Sequence, residues 1–255
     1  MKKRFLGVLL SVAMVAAVLA GCGSSGAKET AAPAGSETEA ASEAASGETE
    51  AAGNTGDVIT VGFSQVGAES DWRTANSESM KSTFSTENGY NLIFDDAQQK
   101  QENQIAAIRN FIQQEVDYIV LAPVTETGWD TVLQEAKDAG IPVIIVDRMV
   151  DVSDDSLYTA WVGSNFKLEG QKAMAWLDAY LEAKGRGDEE INLVDIQGTI
   201  GASAQIGRTE GFDEAVEAHD NWTTLAQQSG EFTQAKGQEV MESILKQRGD
   251  DIDVV

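Results

Sequence analysis

The stretch IPVIIVDRMVD, residues 141–151, places a carboxylate and a guanidinium side by side directly after an apolar run. The run is typical of a buried strand, and Asp147 and Arg148 follow its last apolar residue. An acid and an arginine can accept and donate charge-assisted hydrogen bonds, which are the stronger kind. A surface salt bridge or a turn would use the same residues, so the interpretation depends on what else reaches that place.

The elements that would position this pair alternate along the chain. Segments of strand length are predicted at 58–64, 91–96, 117–123, 142–147, 158–164, 191–197 and 222–229. Helical periodicity is found at 71–88, 99–115, 127–139, 165–184, 204–218 and 233–247. Near-continuous apolar strands separated by helices predict parallel sheets covered on both faces, and right-handed crossovers give a doubly wound α/β fold. The alternation restarts after about residue 158, which indicates a first lobe at 57–157 and a second at 158–255.

Ligands bind beyond the carboxyl ends of the strands in an open parallel sheet. The loops at those ends carry Ser64, Gln65, Glu69, Trp72, Arg73, Asp95, Asp96, Asp147, Arg148, Gln197, Arg208 and Phe232. A sugar has apolar C–H faces that stack on aromatic rings, and hydroxyl groups that donate and accept hydrogen bonds. We therefore expect a monosaccharide site, in which Asp147 accepts from two neighbouring hydroxyl groups while Arg148 donates to one.

Each candidate also has a purely structural interpretation. Trp72 and Phe232 would pack as ordinary aromatic residues, and Arg208 would form a surface ion pair. Acids at helix starts are typical caps, which is the role expected for Asp71 before the first helix and for Asp95 or Asp96 before the second. The glutamines of the second helix start, Gln98, Gln99, Gln101 and Gln104, are expected on a solvated face.

The first 22 residues predict export. A positive MKKRF segment, an apolar LGVLLSVAMVAAV segment and LAGC are typical of a secretory signal peptide. LAGC also resembles the bacterial lipobox, in which the cysteine, here Cys22, is lipidated; an incidental cysteine after a signal is the alternative. Residues 23–56 contain Gly, Ala, Ser, Thr and Glu but no large apolar side chain, which predicts a disordered tether to the membrane surface. An acidic tail for a partner is the alternative.

Charge and residue counts exclude several classes. The net charge is −24, and removal of the signal with its three positive charges makes it −27, so a nucleic-acid partner is not expected. One cysteine allows neither a disulfide framework nor a thiolate metal cluster, and we expect no metal and no cofactor. The only histidine, His219, lies in a polar segment, and neither HExxH nor GxSxG occurs, which argues against an enzyme such as a surface hydrolase.

Two further classes share features with the chain. The segment GTIGASAQIGRTEG is rich in glycine but contains neither GxGxxG nor GxxxxGK[ST], so a nucleotide loop is not indicated. A transcriptional regulator with a sugar-sensing domain would need a DNA-binding headpiece where the signal and lipobox stand. A sugar carrier for a chemoreceptor or signalling receptor remains an open alternative, because it would use the same domain.

Five segments in order resemble the ribose-type sugar-binding proteins of ABC transporters, most of all the galactofuranose-binding branch: VGFSQVGAESDWR, QQKQENQIAAIRNFI, DYIVLAPVTETGWDTVLQEAKDAGIPVIIVDR, QGTIGASAQIGRTEGF and QSGEFTQAKGQEVMES. The resemblance implies a two-lobed periplasmic-binding-protein-like fold, a monosaccharide ligand and a membrane permease as partner. It places the ligand contacts on Trp72, Arg73, Asp147, Arg148, Arg208 and Phe232, to which the end of the first strand adds Ser64. Ribose binders carry a second aromatic residue where this chain has Arg73, so ribose itself is not expected.

The sequence ends with DIDVV, which is typical of the first residues of a buried strand. In the family that the chain resembles, this strand leads to further ligand contacts and to segments that return to the first lobe. The expectation is therefore an incomplete second lobe, and a monomer that binds sugar more weakly than a full-length relative.

Overall fold

The protein is described here from a computed structural model, which covers residues 58–255. The predicted signal peptide, Cys22 and the predicted tether at 23–56 lie outside these residues. No helix between residues 58 and 255 is both long enough and apolar enough to cross a membrane.

The first sheet of the described chain contains five parallel strands. They are β1 (Ile59–Gln65), β2 (Tyr90–Asp96), β3 (Tyr118–Leu121), β4 (Val143–Asp147) and β5 (Ala160–Gly163). Their spatial order is β2-β1-β3-β4-β5, and every neighbouring pair is parallel. All carboxyl ends therefore meet at one edge, as the sequence predicts.

Three helices connect these strands: α1 (Asp71–Thr83), α2 (Gln101–Gln113) and α3 (Asp130–Asp138). The side of α2 that the sequence marks as apolar packs on the core, where Ile108 and Phe111 are buried and Ile105 and Ile112 partly so. The approach of α2 requires glycine at position 62, because a Cβ there would lie 2.5 Å from the Phe111 ring. The main core of the first lobe thus lies between α2, α3 and the sheet.

The second lobe contains β6 (Ile191–Gln197) and β7 (Trp222–Ser229), a parallel pair, with Val254 bridging to Leu193 on the other side of β6. Its helices are α4 (Phe166–Ala183), α5 (Ser203–Glu217) and α6 (Gln234–Arg248). Helices α4 and α5 pack closely because Gly170, Gly207 and Gly211 lie at their contact, where an added Cβ would approach the opposite helix to 2.5–2.8 Å. The two lobes confirm the predicted α/β fold with parallel sheets.

The last strand before the second lobe differs from the expectation. The segment at 158–164 was predicted to open the second lobe, but β5 pairs with β4 over Ala160–Gly163. The chain therefore leaves the first sheet after Gly163, and we use first lobe for residues 58–163 and second lobe for 164–255.

The predicted helix caps are wrong. Ser70, not Asp71, is the N-cap of α1, and its Oγ accepts a hydrogen bond from the Arg73 backbone N–H at 3.2 Å. The N-cap of α2 is Lys100, whereas Asp96 accepts from the Gln98 backbone N–H at 2.8 Å within the preceding turn. An acid and a serine beside each other are both good caps, so sequence alone does not choose between them.

Candidate functional site

A cavity of about 310 Å³ lies between the two lobes, at the carboxyl ends of β1 and β4. The first lobe lines it with Glu69, Ser70, Trp72, Arg73, Asp147 and Arg148, and the second lobe lines it with Ser164, Phe166, Glu169, Ala204, Arg208 and Phe232. Its volume is at the small end of the range for ligand pockets, which suits a small ligand. We call this cavity the interlobe pocket.

The start of α1 presents two side chains of opposite character. Trp72 is 57% exposed, whereas Arg73, the next residue, is 3% exposed. Successive residues of a helix point about 100° apart, so Trp72 lines the exposed part of the pocket while Arg73 lines its buried part. The guanidinium carbon of Arg73 lies 4.8 Å from the centre of the Trp72 ring, which holds the indole against a charged neighbour.

Asp147 ends β4 with a backbone φ of +63°, in the left-handed region that aspartate tolerates better than most residues. Across the strand pair, Gly163 leaves room for this turn, because a Cβ there would lie 2.1 Å from the Asp147 carbonyl oxygen. The same carbonyl accepts a hydrogen bond from Trp161 Nε1 at 3.2 Å. The turn separates Asp147 from the line of the strand and directs its carboxylate towards Arg73.

Two carboxylates and two guanidinium groups form a buried network, which we call the inner charge cluster (Glu69, Arg73, Asp147 and Arg148). Arg73 donates from Nη2 to Asp147 Oδ2 at 2.8 Å and from Nε to Glu69 Oε1 at 3.2 Å. Arg148 Nη2 lies 3.6 Å from the same Glu69 oxygen. The side chains of Glu69, Arg73 and Arg148 are only 2–3% exposed, and that of Asp147 is 17% exposed.

The partners within this cluster argue against the alternative of a surface salt bridge between Asp147 and Arg148. Asp147 and Arg148 are adjacent in sequence, but Asp147 pairs with Arg73 while Arg148 donates from Nη1 to the Val124 carbonyl at 3.1 Å. Burial lowers the pKa of Arg148 to about 10, and the nearby Arg73 adds to the decrease. At neutral pH Arg148 is still charged, so two positive groups approach the same oxygen of Glu69.

Two polar atoms of the inner charge cluster are buried without a partner. Within residues 58–255, neither Oε2 of Glu69 nor Nη1 of Arg73 has a hydrogen-bond partner. A buried donor or acceptor left unpaired costs about 1–3 kcal/mol. The inner charge cluster therefore lies in the lining of the pocket at a cost in stability.

The wall opposite is built from aromatic rings and an exposed ion pair. Phe232 adopts a φ of +56° and packs over Gly198, where an added Cβ would lie 1.9 Å from its ring. Arg148 of the first lobe lies 4.9 Å from the centre of the Phe232 ring. Arg208 donates from Nε and Nη2 to Glu169 Oε2 at 3.0 and 2.8 Å, a contact that we call the outer ion pair.

Six of the seven predicted ligand-contact residues line the interlobe pocket, and the exception is Ser64. Ser64 is fully buried within β1, and its Oγ has no hydrogen-bond partner within residues 58–255. Residues that the sequence did not select are Ser70, Ser164, Phe166, Glu169 and Ala204, together with Glu69, which was noted only as part of a loop. Glu69 lies four residues before Arg73, a predicted ligand contact, and this nearness in sequence of opposite charges was the available signal.

Gln104 supports the pocket from behind, so the prediction that it lies on a solvated face is wrong. Its side chain is fully buried, donates to the Ala122 carbonyl at 2.7 Å and accepts from the Val124 backbone N–H at 2.8 Å. The carbonyl of Val124 in turn accepts from Arg148. Gln104 thereby positions the loop that holds one guanidinium of the inner charge cluster.

Two direct contacts join the lobes beside the pocket. The backbone N–H of Glu126 donates to the Gly201 carbonyl at 2.8 Å, and the backbone N–H of Met149 donates to Ser203 Oγ at 2.8 Å. Both contacts bring the loops after β3 and β4 against the start of α5. On this side of the pocket, one backbone–backbone and one backbone–side-chain hydrogen bond therefore hold the lobes together.

The described residues also bear on metal binding and on the role of the histidine. Between residues 58 and 255, no group of three or more His, Cys, Asp or Glu side chains is placed to hold a metal ion. His219 stacks on Trp222 with ring centres 3.9 Å apart, and its Nε2 lies 3.4 Å from Asp178. The histidine is thus half-buried in a structural contact of the second lobe.

Comparison with known proteins identifies the family. Residues 61–255 match the family described as periplasmic binding protein domain. The chain belongs to this family. The match spans both lobes and hence the whole interlobe pocket.

Three similar members of the periplasmic binding protein family carry informative names. The galactofuranose-binding protein YtfQ of Escherichia coli (strain K12) is 49% identical over 188 residues, which is 74% of this chain and 57% of that protein. A Mycobacterium smegmatis structure in complex with β-D-fucofuranose is 48% identical with a TM-score of 0.72, over 77% of this chain and 63% of that one.

The third is the periplasmic binding protein component of the arabinose ABC transporter from Shewanella sp. ANA-3, bound to α- and β-L-arabinofuranose. It is 49% identical with a TM-score of 0.69, over 76% of this chain and 62% of that one. The chain therefore spans less than two thirds of the length of each of these three proteins.

Proposed function

We propose that the chain is the ligand-binding part of an extracytoplasmic solute-binding protein that captures a monosaccharide between its two lobes. The observation that carries the proposal is the interlobe pocket, where aromatic faces and hydrogen-bonding charges from both lobes meet in one small cavity. Sugars need both kinds of contact, because their C–H faces are apolar and their hydroxyl groups are polar. Membership of the periplasmic binding protein family supports the same function.

In this proposal the ligand contacts are Trp72, Arg73, Asp147, Arg148, Arg208 and Phe232. Trp72 and Phe232 offer ring faces to the sugar, and the inner charge cluster offers donors and acceptors to its hydroxyl groups. Ser64 remains a proposed contributor only through the backbone of β1, because its side chain lies outside the pocket lining.

The ligand class that we propose is a furanose-form hexose or pentose. The three similar proteins described above are named for galactofuranose, fucofuranose and arabinofuranose. The ribose import binding protein RbsB of Salmonella typhimurium is more distant, at 30% identity over 157 residues. Arg73, where ribose binders carry a second aromatic ring, supports the same preference.

The mechanism that we propose is binding and release without catalysis. The lobes close around the sugar about the connections between them, which excludes water from the hydrogen bonds of the pocket. The closed form would then deliver the sugar to an ABC permease in the membrane. Acylation at Cys22 and the tether at 23–56 would hold the protein, as a monomer, at the outer face of that membrane.

Isothermal titration calorimetry tests this proposal with D-galactose, D-fucose, L-arabinose, D-fructose and D-ribose, with methyl furanosides of the first three to supply the five-membered ring. The expected result is saturable binding of at least one sugar, with furanosides preferred to ribose. Nuclear magnetic resonance of the recovered ligand is expected to show unchanged sugar. Failure to bind any of them would overturn the proposed ligand class, and hydrolysis of a furanoside would overturn the absence of catalysis.

A further inference from the structure

The inner charge cluster is electrically balanced although it is almost completely buried. Its two guanidinium groups face two carboxylates, and each carboxylate contacts at least one arginine at 2.8–3.2 Å. Glu69 contacts both arginines through the same oxygen, at 3.2 Å to Arg73 and 3.6 Å to Arg148. Breaking this balance in a site of low exposure carries a large cost, because a buried charge without a partner is poorly solvated.

From this balance we infer that Glu69 determines the charge class of the ligand: it restricts the interlobe pocket to uncharged sugars and excludes sugar acids and other anions. The inference rests on the proposed function, since it concerns the ligand of the same pocket. Two arginines in a cavity would by themselves form an anion site, because guanidinium groups bind carboxylates and phosphates in a paired geometry. Glu69 occupies the position that such an anion would take.

The contacts of Glu69 strengthen the inference. Its Oε1 lies 3.2 Å from Nε of Arg73 and 3.6 Å from Nη2 of Arg148, and its side chain is 2% exposed. A ligand carboxylate bound to these two arginines would bring a second negative charge close to that of Glu69 in a site of low exposure. A neutral hydroxyl group carries no such penalty, so Glu69 favours a neutral ligand and repels an anionic one.

The test is Glu69→Gln, which keeps the size of the side chain and removes its charge. The variant is left with one net positive charge in the pocket, which an anion would neutralise. The affinity ratio of D-galacturonate to D-galactose is expected to rise by about tenfold or more relative to the parent chain, as for other buried charge pairs. Inorganic sulfate, at constant ionic strength against chloride, is expected to raise the melting temperature of the variant more than that of the parent, which sulfate stabilises only through its general effect on folded proteins. We call this excess over the parent the sulfate response.

The matched control is Glu135→Gln. Glu135 also pairs with an arginine, Arg109, at 2.8 Å, and its loss changes the net charge equally, but the pair is exposed and belongs to α2 and α3. This control is expected to leave both the sulfate response and the affinity ratio at the parent values. The double variant E69Q/R73Q restores the charge balance of the pocket and is expected to lose the sulfate response again.

The outcomes are distinct. Binding of a neutral sugar by the parent, with E69Q and E135Q giving the same sulfate response, would overturn the inference and leave the proposed function intact. A parent that binds no sugar would overturn the proposed function, while the sulfate measurement still decides the role of Glu69. If E69Q does not fold, Asp147→Asn removes the other carboxylate of the cluster, and a lack of sulfate response there would also overturn the inference.

Discussion

The interlobe pocket contains two sets of arginine–carboxylate contacts with the same chemistry and different burial. The side chains of the inner charge cluster are 2–17% exposed, whereas those of the outer ion pair are 41% and 46% exposed. An exposed ion pair contributes about 0–1 kcal/mol, while removing one partner of a buried pair costs about 3–5 kcal/mol. The comparison indicates that the first lobe presents a rigid wall prepared in advance, and the second lobe a wall that can adjust.

The contacts that hold the arginines of the two walls in place also differ between the first lobe and the second. Arg148 is held by a carbonyl whose loop is fixed by the buried Gln104, so the inner guanidinium groups have few alternative positions. Arg208 has the 41% exposed Glu169 as its hydrogen-bond partner and the Phe166 ring at 5.0 Å. A ligand would therefore find the inner donors already oriented, which lowers the entropy cost of binding.

The largest effect is expected for Asp147→Ala. Its loss leaves Nη2 of Arg73 without its partner, next to Nη1 that already lacks one within residues 58–255, so sugar binding should weaken by about 3 kcal/mol or more. Arg73→Ala should cost less, because Asp147 is partly solvated and Glu69 keeps Arg148 at 3.6 Å. Titration calorimetry of both variants measures the order.

A control for this prediction uses the backbone of Asp147. Its φ of +63° is strained for alanine but tolerated by asparagine, so Asp147→Asn separates the lost charge from a distorted turn. The asparagine variant should keep a melting temperature closer to that of the parent and still bind sugar weakly. Weaker sugar binding in Arg73→Ala than in Asp147→Ala would contradict the prediction that the Asp147 carboxylate contributes more to affinity than the Arg73 guanidinium.

Much of the fold could be predicted, because it depends on local patterns. The apolar runs at β3 and β4 and the spacing of Ile108 and Phe111 are visible in any short window of the sequence. The burial of Gln104 could not be predicted in this way, since it results from the meeting of α2 with the end of β1 and the loop after β3. The membership of β5 in the first sheet could not be predicted either, because it depends on pairing with β4, which no short window of the sequence shows.

The same distinction applies to the candidate site. Residues directly after a buried strand, such as Asp147 and Arg148, could be predicted because parallel strands bring their carboxyl ends together. The pairing of Asp147 with Arg73, 74 positions apart, follows from the left-handed turn at Asp147 and from the burial of Arg73 at the start of α1. Phe166 and Glu169 were missed because they belong to α4. The start of α4 lies at the pocket because β5, which precedes it, runs parallel to β4 and ends at the same edge of the first sheet.

An intermediate effect is expected for Trp72→Ala. This variant tests whether the contribution of a side chain to sugar binding depends on its burial or on the lobe to which it belongs. Trp72 belongs to the first lobe but is 57% exposed, so its removal should leave the melting temperature unchanged while weakening sugar binding by about 1–3 kcal/mol through the loss of a stacked ring face. The matched control is Trp176→Ala in α4, a 65% exposed tryptophan that stacks on Tyr180 and lies outside the interlobe pocket lining. Equal affinities for the two variants would remove Trp72 from the site.

The smallest effect is expected for Arg208→Ala, and its dependence on salt sharpens the comparison of the two walls. Because the outer ion pair is nearly half exposed, the loss of affinity should be about 1 kcal/mol in dilute buffer and should shrink towards zero near about 1 M NaCl, where the screening length is about 3 Å. The loss of sugar affinity in Asp147→Ala should change little over the same range of NaCl concentration, since buried charges are screened much less. Titrations at several salt concentrations measure both slopes. A loss in Arg208→Ala that is as large as that of Asp147→Ala and independent of salt would mean that the sugar complex buries Arg208, and that both walls become rigid when the lobes close.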